Sequence, residues 1–157
     1  KKIETFQIYK SFVKYTVSQI NKIYKAVSRI VSLMQGVLGV IKKEGKYLMG
    51  IESKDTPLKG KWRLLGGKLE GGESHEEALV RELREEAKIE IRIGGYLGIV
   101  KGDYCDVDIH IYTADWVSGE LKPKVDEVSR LDWFTVEEMA AMDTDKVSKG
   151  LFAKFRP

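Results

Sequence analysis

Between Gly66 and Ile91 the chain reads GGKLEGGESHEEALVRELREEAKIEI, with eight glutamates gathered behind two pairs of glycines. No other stretch limits the fold so strongly. Like charges three and four apart on a helix repel. A helix that gathers them must either turn them to water or hold a cation among them. The start of the helix is well marked: Ser74 with Glu77 three residues on forms a capping box, which predicts a helix over 76–87. On that helix Leu79, Val80 and Leu83 would anchor one side to a sheet, while Glu82, Glu85 and Glu86 share the other. Arg81 stands inside the cluster and can pair with Glu73 or Glu85 through its planar fork. Hard oxygen donors in this number suit Mg²⁺ or Mn²⁺ better than zinc. The glycines ahead of the helix permit positive φ and close approach, so a loop carbonyl can join a metal shell and backbone amides can meet phosphate oxygens. Composition alone leaves metal–phosphate binding and a solvated glutamate face both open.

The elements around this helix follow from periodicity. GVLGVIKKEGKYLMGIES predicts a hairpin of strands 37–41 and 47–51 turned at Glu44–Gly45. A short strand is expected over 62–65. Two more follow over 89–93 and 96–100. In CDVDIHIYTADW, Val107, Ile109 and Ile111 alternate with Asp106, Asp108 and His110, a strand with two faces. Ser118–Gly119 turns the chain, 131–134 is a further strand, and Thr135 with Glu138 caps a helix over 136–142. Residues from Lys146 onward are expected to be helical. Strands, a helix, more strands and then helices indicate an α+β sandwich on a mixed sheet. Residues 36–157 are expected to form one domain.

The segment before it is different. Residues 1–35 hold seven basic residues against Glu4 alone, leaving 20 basic and 23 acidic residues for the rest. No Gly or Pro interrupts it. Its apolar residues, Phe6, Val13, Val17, Ile20, Tyr24, Val27, Val31 and Met34, step by fours and threes from Val13 on, the seam of an amphipathic helix. Ile23 and Ile30 widen the seam into a stripe better suited to a surface than to a strict two-stranded coil. The preferred reading packs it on its own domain or on a second copy, as a homodimer. Adhesion to a membrane surface is a second reading. Nucleic acid is disfavoured by the acidic domain and the absence of a reader motif. No apolar run reaches the length of a membrane span. With one cysteine, Cys105, no internal disulfide can form, and an intracellular, cytoplasmic setting is expected.

The spacing Gly67, five residues, Glu73, seven residues, Arg81-Glu82-Leu83, one residue, Glu85-Glu86, one residue, Lys88-Ile89 resembles the Nudix box, matching eight of its nine fixed positions. KGKWRLLGGKLEGGE and DEVSRLDWFTVEEM extend the resemblance, to MutT-type nucleoside triphosphate pyrophosphohydrolases, over most of 36–157 but not over the arm. It implies a Nudix-type α/β/α sandwich. It also implies that Glu82, Glu85 and Glu86 bind the divalent cation, with the Gly66 carbonyl as a backbone ligand, and that Glu73 and Arg81 brace the loop–helix junction beside Gly67. A further acid outside the box often completes such a site, and Glu127 is the best candidate, with Asp126 as its substitute. Asp145 stands where such enzymes read the base edge, although a helix cap suits it better. Trp62, Trp133 and Phe134 are assigned to the core, and His75 and His110 to solvent. Two departures stand out: Lys88 replaces the last glycine of the box, at a cost of about 1 kcal/mol, and Leu65 replaces the usual proline. Neither removes a ligand. The implied function is hydrolysis of nucleoside triphosphates in nucleotide-pool sanitation. ADP-ribose or nucleotide-sugar hydrolysis, RNA 5′-end processing and a non-catalytic nucleotide sensor are the alternatives.

Overall fold

The computed structural model describes residues 13–14, 16–27, 35–104 and 107–154. Phe6, Ile30, Val31 and Met34 of the expected arm helix, and Cys105 and Asp106, lie outside the described residues. Within the arm, residues 13–14 and 16–27 are helical (α1).

The hairpin forms as its alternation dictates, with β1 over Gln35–Lys43 and β2 over Lys46–Glu52. Glu44 and Gly45 both take positive φ, 49° and 79°, the mirror-image turn whose twist matches two antiparallel strands. Where one strand is expected over 62–65, two short ones form: β3 over Trp62–Arg63 pairs with β2, and β4 over Leu65–Lys68 pairs with β1. The chain switches neighbours at Leu64. Helix α2 spans His75–Ala87, and its Ser74 capping box is complete in both directions. The two strands expected over 89–93 and 96–100 are one strand, β5, over Glu90–Lys101. Register shifts between Ile93 and Tyr96 absorb the Gly94–Gly95 pair as a bulge, and the Gly95 N–H donates to Thr113 Oγ1 at 2.7 Å. Strand β6 covers Asp108–Ser118 and β7 covers Val128–Phe134. Helix α3, Val136–Ala140, has its own capping box from Thr135 and stops two residues before the expected end; α4 covers Lys146–Lys154.

Strand β1 is the hub. It runs parallel to β6 from Gln35↔Asp108 to Lys42↔Asp115, and antiparallel to β2 and β4. The main order is β3-β2-β1-β6-β5, with β7 on β2, so the sheet is mixed. Alternation on β1 sends side chains to two separate cores. Val37 and Ile41 meet Leu79, Leu83 and Ala87 of α2, whereas Val40 meets Met139, Val147, Leu151 and Phe152 of α3 and α4. Helices on both faces of one mixed sheet make the α/β/α sandwich that the family resemblance implies. Trp62, Trp133 and Phe134 are partly buried against these cores, as expected, and the Trp62 and Phe134 rings meet edge to face.

Candidate active site

Two adjacent glycines seat α2 on the sheet for different reasons. Gly66 has φ 135°, and a Cβ there would lie 2.1 Å from the Val37 carbonyl oxygen of β1. Only glycine allows the turn to pass this close to the strand. A Cβ on Gly67 would instead lie 2.3 Å from Glu82 Oε1, so this glycine makes room for a carboxylate. At the far end of the helix Lys88 takes left-handed backbone angles, φ 59° and ψ 35°, where the box calls for glycine.

Beneath the turn lies a buried ion network. Arg63 of β3 donates from Nε to Glu52 Oε2 at 2.8 Å and from NH2 to Glu86 Oε1 at 2.7 Å. Its NH1 donates to the Leu64 carbonyl at 3.0 Å. The remaining oxygen of Glu86 accepts the Gly66 N–H at 3.0 Å, and Glu52 Oε1 accepts the Lys54 N–H at 2.9 Å. The side chains of Arg63, Glu52 and Glu86 are 9%, 7% and 1% exposed, so three charges share a nearly dry site. Burial alone would lower the Arg63 pKa, but Glu86 and Glu52 outweigh it and keep the guanidinium firmly charged. Sequence reasoning missed Arg63 and Glu52. The only signal was a lone arginine between Trp62 and Leu64 in an apolar run.

Arg81 organises the other side. It holds Glu73 with two donors, Nε to Oε2 at 3.1 Å and NH2 to Oε1 at 2.7 Å, and reaches the Lys68 carbonyl at 3.1 Å. Its NH1 donates to Glu82 Oε1 at 2.9 Å and lies 3.7 Å from Glu85 Oε1. The Arg81 hydrogen bonds hold Glu73 below the usual carboxylate range. Glu82 moves the other way. Burial raises its pKa, the neighbouring Glu86 and Glu85 add to the effect, and the Arg81 hydrogen bond only partly offsets it.

Glu82, Glu86, Gly66, Gly67, Glu127 and Asp145 all border one cavity of about 540 Å³. Glu85 is not among the residues that line it; its side chain is half exposed and lies 3.7 Å from Arg81. Glu127 is held by Lys54 Nζ at 2.6 Å and by Lys124 Nζ. Burial would raise its pKa, yet the two ammonium groups keep it lowered and the carboxylate ionised. Asp126 is exposed. Asp145 accepts the Ser148 N–H at 3.1 Å, the bond of an N-cap on α4, and burial raises its pKa to about 6. Asp145 is tied to β3 as well, through its own N–H to the Trp62 carbonyl at 3.1 Å. His75 and His110, expected in solvent, stack on each other at 3.7 Å and bond to Gln35 and Tyr96.

Among the described residues no three His, Cys, Asp or Glu side chains converge as a metal-holding group. Arginines now supply the positive charge: Arg63 to Glu86, and Arg81 to Glu82. The donors nevertheless fit a hard divalent cation. Glu82 and Glu86 line the cavity, Gly67 makes room there for the Glu82 carboxylate, and burial among like charges raises the Glu82 pKa, a cost that a cation would relieve.

A glycine turn laid against a glutamate-rich helix, beside a cavity of about 540 Å³ in a mixed-sheet sandwich, is the architecture of a Nudix hydrolase. The chain belongs to the Nudix family: the NUDIX domain model matches residues 33–155. It is 33% identical over 117 residues to an ADP-ribose pyrophosphatase of Methanocaldococcus jannaschii, covering 71% of this chain and 68% of that one. A CTP pyrophosphohydrolase of Escherichia coli is 35% identical over 80 residues, covering 51% of this chain and 59% of that one. The match thus spans less than two thirds of the second relative's length. Among solved structures, a MutT NUDIX hydrolase from Burkholderia pseudomallei shares the fold with a TM-score of 0.71 at 23% identity, over 78% of this chain and 98% of that one.

Proposed function

We propose that the chain hydrolyses nucleoside triphosphates between the α and β phosphates, giving a nucleoside monophosphate and pyrophosphate. The carrying observation is the placement of Glu82 and Glu86 on the wall of one cavity together with Gly66 and Gly67, with Glu85 next on the same helix. Glu82, Glu85 and Glu86, with the Gly66 carbonyl, would hold a divalent cation, Mg²⁺ or Mn²⁺. When bound, such a cation screens phosphate charge and lowers the pKa of water. The protein's own groups then have distinct tasks. Arg81 and Glu73 fix the position of Glu82. Lys54, on the cavity wall, supplies positive charge where the phosphates lie. Glu127, kept ionised by Lys54 and Lys124, accepts a proton from the attacking water. The new bond forms between that oxygen and the α phosphorus. The bridging P–O bond breaks, and its electron pair leaves with pyrophosphate.

A second reading takes ADP-ribose as substrate and is favoured by the name of the Methanocaldococcus jannaschii relative. A panel of nucleoside triphosphates and ADP-ribose, assayed with Mg²⁺ for wild type and Glu85→Gln, separates the two. Triphosphate turnover, lost by at least about 100-fold in Glu85→Gln, supports the proposal. Turnover of ADP-ribose alone favours the second reading. Equal background release by both proteins from every compound refutes catalysis and leaves a nucleotide-binding module.

A further inference from the structure

Among the described residues, α1 carries a broad apolar stripe that belongs to neither core. In α1, Val13, Val17, Ile20, Ile23, Tyr24 and Val27 are 40–71% exposed. At about 100° per residue they fall within roughly 120° of the helix circumference. Such a stripe forms no part of either core. The opposite arc carries Lys14, Lys22 and Lys25 together with Ser18, Gln19 and Asn21. No Asp or Glu occurs between Glu4 and Glu44.

We infer that α1 is a docking surface for an anionic lipid bilayer, lying in the plane of the headgroups. Charge decides between a bilayer and a second copy of the chain. Two arms packed stripe to stripe would cover the apolar face but turn the lysines outward, and the segment offers no carboxylate to pair with them. A phospholipid surface bearing negative charge answers both faces at once. The stripe enters the acyl boundary while the lysine stems run along it and lift their ammonium groups to the phosphates. Tyr24, apolar in its ring and polar at its tip, suits that boundary. Among the described residues no helix is long and apolar enough to cross a membrane, so the arm lies on the surface. This inference concerns the arm alone and stands apart from the hydrolase reading.

The test is flotation of the chain, residues 1–157, with vesicles of phosphatidylcholine alone and of phosphatidylcholine mixed with phosphatidylglycerol, beside light scattering without lipid. Each basic residue near an anionic surface strengthens partitioning by about five-fold. The triple variant Lys14→Gln, Lys22→Gln, Lys25→Gln is therefore expected to bind the anionic vesicles about 100-fold more weakly. Ile20→Asp, which puts a charge in the middle of the stripe, is expected to abolish flotation. Both variants should melt like wild type, since none of these residues belongs to a core. Three results would overturn the inference. One is no flotation of wild type with anionic vesicles. Another is equal flotation with both lipid compositions. The third is a dimer without lipid that Ile20→Asp dissociates, which would assign the stripe to a second copy.

Discussion

Removing the charge of Arg63 is the sharpest test of how the site is held. In Arg63→Met the side chain keeps its bulk but leaves Glu52 and Glu86 facing each other without the cation between them. The two side chains are only 7% and 1% exposed, so water cannot replace the lost donors. Breaking a buried ion pair by deleting one partner costs about 3–5 kcal/mol, chiefly the penalty of the stranded charge. At about 2–4 °C per kcal/mol for a chain of this size, the melting temperature should fall by roughly 6–20 °C. Arg63→Lys keeps a charge but cannot bridge both carboxylates with a planar fork, so it should fall in between. Urea unfolding at neutral pH, with the midpoint and slope fitted separately, measures these losses. Adding Glu52→Gln to Arg63→Met should cost less than the two single changes combined, because the second change removes one of the stranded charges. A loss below about 1 kcal/mol in Arg63→Met, or strict additivity in the double variant, would refute the account of the network as a coupled buried charge set.

Lys88→Gly should stabilise by about 1 kcal/mol and raise the melting temperature by about 2–4 °C, since Lys88 sits in left-handed geometry that glycine adopts freely. The neighbouring glycines should separate fold from function. Gly66→Ala drives a methyl into the Val37 carbonyl and should lower the melting temperature sharply. Gly67→Ala presses only on the end of the Glu82 side chain and should leave melting nearly unchanged while hydrolysis falls. Asp145 gives a pH signature. Its folded pKa, about 6, lies above the ordinary 3.8, so the folded state binds the extra proton. This contribution to stability is greatest in acid and is lost as pH rises from about 4 to about 6. Asp145→Asn retains an acceptor for the Ser148 N–H, so urea midpoints measured across that window should lose this downward slope. A difference curve that is flat between wild type and variant would show that Asp145 does not titrate there.

Much of this protein is legible in its sequence because its devices are local. Both capping boxes join residues three apart, the hairpin turn needs only Glu44 and Gly45, and the shared face of Glu82, Glu85 and Glu86 follows from helical geometry. The left-handed strain at Lys88 was equally open to view, since it depends on one residue's position after a helix. The tertiary structure decided what lies across the sheet. Glu52, Arg63 and Glu86 are separated by 11 and 23 residues, and no periodicity links them. Their meeting depends on β3 pairing with β2 and on α2 crossing above. The break at Leu64 and the continuous β5 were likewise hidden. A glycine pair reads the same whether it ends a strand or bulges one, until Thr113 on the neighbouring strand supplies the bond. Backbone hydrogen bonds within a turn or helix are set by a few adjacent residues. A buried charge instead needs partners that only the folded chain can bring to it, and here they came from three separate elements.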